Sequence, residues 1–149
     1  MKVLLMIPVL IAGIAVLMVV KNAKTPSNLG VTNGRLAPVP KTPNAVSSQT
    51  DDPKKRVAPF PFKGDLNATK ARIKESLRAY GNNEIRSETA DYIHAVNTSP
   101  TMKFKDDLEF YFVEKAGIVH FRSASRTGYS DMGLNRERYN RLVELYNAQ

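Results

Sequence analysis

The sequence contains no cysteine. This excludes disulfides, thiolate metal sites, a cysteine nucleophile and a cysteine-linked lipid anchor, and it leaves the redox compartment open. Histidine is scarce: His94 and His120 are the only two, and with no obvious third ligand beside them no metal centre is expected. Acidic side chains are missing before Asp51. The net charge of +8 is therefore uneven, with 8 basic and 2 acidic residues over 1–58 against 14 and 12 over 59–149. A basic excess confined to the leading segments suits a position near anionic lipid better than a nucleic-acid face. The aromatic–basic interleaving that stacks bases is also absent, so nucleic acid is not an expected partner. No internal repeat and no cofactor motif is present, and no cofactor is expected.

What is there begins with Val3 to Val20, an uncharged apolar run between Lys2 and Lys21. Eighteen helical residues would span ~27 Å, close to a bilayer core of about 30 Å. The run is expected to be an N-terminal transmembrane helix over residues 1–21, with membrane lipid as its partner through residues 3–20. A signal peptide cut after Gly13-Ile14-Ala15 is the competing reading, and it leaves Val16 to Val20 as an apolar new terminus. Lysines on both sides leave the orientation open. Asn22 to Ala58 holds Pro26, Pro38, Pro40, Pro43 and Pro53 with many Ser, Thr and Asn residues, and is expected to be an extended tether.

Residues 59–149 are expected to fold as an α+β domain. Pro59-Phe60-Pro61-Phe62 suits an edge strand or a staple onto the core. Asp65 caps a helix whose face is Leu66, Thr69, Ile73, Leu77 and Tyr80, and Gly81 ends it. Glu84–Glu88 and Asp91–Ser99 read as strands. Leu108, Phe110 and Phe112 alternate with Asp107, Glu109 and Tyr111, while Val119 and Phe121 alternate with His120 and Arg122. Placing Val113 opposite Ile118 pairs Phe112 with Val119, Phe110 with Phe121, Tyr111 with His120 and Glu109 with Arg122. One face is then apolar and the other, expected to face solvent, is polar. Leu134, Arg138, Leu142 and Leu145 mark a terminal helix. The expected architecture is a single antiparallel sheet of four to five strands with two helices on one face.

Several segments carry a resemblance: Pro43-Asn44-Ala45-Val46-Ser47-Ser48-Gln49, Pro61-Phe62-Lys63-Gly64-Asp65, Asp106-Asp107-Leu108-Glu109-Phe110-Tyr111 and the string from Arg122 to Asp131 that continues through Gly133, Asn135 and Arg136. From about Leu29 onward the chain resembles the uncharacterised family termed domain of unknown function 1499. That resemblance implies a bacterial or plastid protein, often exported or membrane-tethered, with no established activity. Family members commonly carry two cysteines in a CP-x-x-PNCVSS pattern, where this chain has Val39 and Ala45.

The polar residues offer two chemistries. Glu109, Tyr111, His120 and Arg122 share a sheet face, and Ser123, Ser125, Arg126, Tyr129, Asp131 and Arg136 follow in a loop that opens a helix. Backbone N–H groups with Arg126 and Arg136 could hold an anion, and the competing reading is that this loop satisfies buried backbone and caps the helix. The expected function is a membrane-tethered, extracytoplasmic accessory or binding module that docks a membrane-protein subunit or an anionic headgroup. The alternative is a small hydrolase pairing His120 with Ser130, although Gly128-Tyr129-Ser130-Asp131-Met132 misses the nucleophile elbow at its last position.

Overall fold

The computed structural model describes residues 2–149, and the side chains of all of these except 2–9, 11 and 12. The elements run α1 (Lys2–Ala23), β1 (Val31–Thr32), β2 (Arg35–Leu36), β3 (Ala45–Ser47), β4 (Phe60–Pro61), α2 (Leu66–Tyr80), β5 (Asn83–Glu88), β6 (Tyr92–Thr98), β7 (Lys105–Val113), β8 (Ile118–Ser125) and α3 (Leu134–Asn147).

Strands β7 and β8 form the hairpin expected from their alternation, with Val113 opposite Ile118, Phe110 opposite Phe121 and Glu109 opposite Arg122. Gly117 closes the turn at φ 62°, a left-handed backbone that costs a side chain least when there is none. β6 pairs with the other edge of β7, and β5 pairs with β6 through a bulge between Ile85 and Ser87. The far edge of β8 takes two short partners, β3 at Arg122–Ala124 and β4 at Ile118–Val119. The sheet therefore has six strands, not four to five, and β1 with β2 makes a separate ribbon. Period-2 alternation cannot register in a three-residue strand, which is why β3 escaped notice in the sequence.

The expected transmembrane helix is also corrected. Among the described residues no helix is long and apolar enough to cross a membrane. The last turn of α1 is polar and is held by the domain: Asn22 Nδ2 donates to Lys103 O and Asn22 Oδ1 accepts from Lys105 N, each at 2.8 Å.

One sheet face carries the apolar core. Asp65 Oδ1 accepts from Ala68 N at 2.7 Å to start α2, and Gly81 N–H returns to Leu77 O to end it. Ile73 and Leu77 of α2 and Leu142 and Tyr146 of α3 pack on Ile93, Leu108, Phe110, Phe112, Val119 and Phe121. Phe60 sits among four rings, with centroids 5.4–6.1 Å from Phe110, Phe121, Tyr139 and Tyr146. The proline-flanked segment is thus a strand and an aromatic staple at once.

The opposite face was expected to be wet, and most of it is buried, with Tyr111 and His120 half-buried. His94 is 4% exposed, Glu109 0% and Arg122 5%. The stretch expected to be an extended tether lies across this face instead of hanging free. Gly30 N donates to Glu109 Oε1, Ser48 Oγ accepts from Phe121 N, and Leu36 is buried. A polar face can be covered in this way when its charges neutralise one another beneath the cover.

Candidate functional site

Burying the second face leaves two compact charge clusters there. Asp107 accepts from His94 Nε2 at 2.8 Å and takes a two-pronged grip from Arg126, Nε to Oδ2 at 2.8 Å and Nη2 to Oδ1 at 2.7 Å. Burial alone would raise the Asp107 carboxyl, but these hydrogen bonds and charges outweigh it and hold the group below its ordinary value. One register step along, Glu109 accepts from Arg122 Nη1, Tyr92 Oη and Gly30 N, each at 2.8 Å. Burial and the neighbouring Glu109 charge push the Tyr92 phenol far up, so it stays a donor.

A third cluster lies on the helix side. Arg138, 1% exposed, donates Nη2 to Asp106 Oδ2 at 2.6 Å and Nη1 to Asn135 Oδ1 at 2.7 Å. Ser123 Oγ bonds Asn135 Oδ1, and Ser125 Oγ accepts from Asn135 Nδ2 at 3.1 Å. Successive residues Asp106 and Asp107 thus anchor opposite faces of one strand, as pleating requires.

The expected site residues are accordingly dispersed. Glu109, Arg122 and Arg126 are in the covered clusters. Ser123 and Ser125 bind Asn135. Tyr129 is 73% exposed and accompanies Asp131 and Arg136 along a separate cleft of about 550 Å³. Asp131 fills the start of α3 itself, accepting from Gly133 N at 3.0 Å and Asn135 N at 2.8 Å. Arg136 Nη2 is taken up by the carbonyls of Lys54 and Arg56 at 2.9 and 3.0 Å. The loop therefore caps a helix and does not assemble the anion site expected from pairing Arg126 with Arg136.

His120 stacks beside Tyr111, with rings 6.2 Å apart, and its Nδ1 lies 3.1 Å from Ser48 Oγ. Ser130 is engaged elsewhere, accepting from Met132 N at 3.1 Å. Burial first, and the charge of Arg35 second, lower the His120 pKa below its ordinary value. No carboxylate is paired with His120 among the described residues, so a proton taken from Ser48 would sit on an imidazolium that its surroundings disfavour. Among the described residues no group of three His, Asp or Glu side chains is placed to hold a metal ion.

Sequence reasoning missed one arrangement. A cleft of about 480 Å³ opens between residues 23–30 and the β5–β6 edge, and Arg86, Lys105, Arg126 and His94 line it. Arg86 and Lys105 are far apart in the sequence and belong to no motif; only the pairing of β5, β6 and β7 brings them together.

These features define an α+β domain with buried charge clusters beneath a polar cover and, among the described residues, no assembled catalytic triad. The chain belongs to the family described as "Protein of unknown function (DUF1499)", whose model matches residues 35–145. That span runs from β2 through the six-stranded sheet and α2 to most of α3. No curated protein and no solved structure matches the chain.

Proposed function

We propose that this protein is a non-catalytic binding module that rests against a lipid surface through the end of the sheet where α1 leaves it. The observation that carries this reading is an uncovered apolar rim at that end. Met102 is 66% exposed and Phe104 39%, in the loop to which Asn22 is bonded, and Ile14, Leu17, Val19 and Val20 of α1 are each at least half exposed. Lys21, Lys24 and Lys103 are exposed beside them. Exposed apolar side chains ringed by lysines suit the boundary between headgroups and acyl chains. At about 1 kcal/mol for each lysine near an anionic surface, three contribute ~3 kcal/mol, roughly a hundredfold preference for anionic over neutral vesicles. The family resemblance favours the extracytoplasmic side.

Catalysis through His120 is the weaker reading, because Ser48 is tied to the β8 backbone and no acid orients the imidazole. Vesicle flotation of the full chain tests the proposal. Binding should favour anionic vesicles, and Met102→Asp/Phe104→Asp should lower the bound fraction several-fold. Equal recovery of the native chain and this variant on the vesicles would refute it.

A further inference from the structure

We infer that the 480 Å³ cleft beside the end of α1 is a binding site for a phosphate group. The inference stands on the cleft alone and does not need the lipid surface. Three cationic side chains line the cleft and no carboxylate does. Arg126 forms its floor. It is 6% exposed and fixed by its two-pronged grip on Asp107, so its orientation is set before any ligand arrives. Among the described residues its remaining nitrogen, Nη1, has only Asn22 O and Ala23 O, both at 3.5 Å, a distance that leaves this donor open to a shorter acceptor.

Lys105 and Arg86 stand at the sides. Lys105 has no side-chain partner among the described residues, and Arg86 is paired only with the exposed Glu84 at 2.8 Å. His94 adds a ring whose Nε2 is committed to Asp107 and whose Nδ1 has no partner among the described residues. Pro26 and Leu29 make the remaining wall apolar.

The chemistry follows from the donors. The Asp107 charge is already matched by Arg126, so a ligand meets the uncompensated Lys105, a loosely paired Arg86 and an open N–H of Arg126. Donors converging from several sides match an anion with several oxygens in a tetrahedral array, and guanidinium groups favour phosphate in particular. The mouth lies at the turn where α1 ends, since Ala23, Thr25 and Pro26 line it. The phosphate could therefore belong to a lipid headgroup or to a free phosphate, and the two sources are separable.

The test uses the full chain. Calorimetric titration with inorganic phosphate should show saturable binding, which Arg86→Ala/Lys105→Ala weakens at least tenfold without lowering the melting temperature. Arg86→Glu, at an exposed position, should act in the same direction. In parallel, neutral galactolipid vesicles carry either phosphatidic acid or oleate in equal amounts. If the headgroup is the source, the native chain prefers phosphatidic acid and the double variant loses that preference. If free phosphate is the source, only the titration responds, and the cleft is still confirmed. No phosphate binding by the native chain, or equal binding by the double variant, overturns the inference. Oleate vesicles report on the lipid-surface reading separately, because they hold charge without phosphate.

Discussion

Replacing Asp106 by alanine should unfold this protein far more readily than the loss of a small side chain would suggest. Among the described residues Asp106 supplies the only anion on Arg138, whose side chain is 1% exposed. With it gone, Nη2 keeps only Asn97 Oδ1 at 3.3 Å, while Nε already has no partner among the described residues. A hydrogen bond to a charged group is worth about 1.5–3 kcal/mol, and stranding a buried charge costs about 3–5 kcal/mol in total. With a urea dependence of ~1.5 kcal/mol per molar, the unfolding midpoint should fall by about 2–3 M. The companion variant, Asp106→Ala/Arg138→Met, removes the stranded cation and restores apolar packing on the same face. It should recover at least ~1 kcal/mol relative to Asp106→Ala alone. Equilibrium urea titration followed by far-ultraviolet circular dichroism measures both. An Asp106→Ala midpoint within a few tenths molar of the native one, or a double variant no more stable than the single, would refute the assignment of Arg138 as a buried cation that depends on Asp106.

Three further outcomes follow. Asp107 is held below its ordinary value of 3.8, so its contribution is complete above that pH and is lost as pH falls through its depressed native value. His120 is also lowered, from 6.5, so the unfolded chain protonates first and stability declines as pH drops below about 6.5 toward the native value. Asp107→Asn should flatten the acid limb and His120→Gln the limb just below neutrality, both read from urea midpoints against pH. Asp65→Ala removes the acceptor for Ala68 N and should cost ~1 kcal/mol in the same titration, with no change in vesicle binding.

The hairpin of β7 and β8 was legible because its strands constrain each other: only one register gives an apolar face and opposes Glu109 to Arg122. The start and end of α2 were legible because Asp65 and Gly81 act locally. The cover over the second face was not, since its strands β1 and β2 run two residues each and its contacts are polar. Alternation told that Glu109, His120 and Arg122 share a side, and it could not tell what lay above them. Two signs were present nonetheless. Arg138 interrupts the apolar stripe of α3, and Asp106 falls on the same side as Leu108 and Phe110, so each required the other. The cleft left no sequence trace, because Arg86, Lys105 and Arg126 converge only through strand order.

Strand β8 has partners on both edges, its hairpin neighbour β7 on one and the much earlier β3 and β4 on the other. Ala45 pairs with Ala124 and Phe60 with Val119, while β7 occupies the other side. During synthesis, β3 and the aromatic staple of β4 must therefore wait for residues 118–125 to emerge before they find their place. Contacts this distant in sequence make for slow assembly, and the half-made protein carries Phe60 and the bare edge of β7 unprotected until β8 is made.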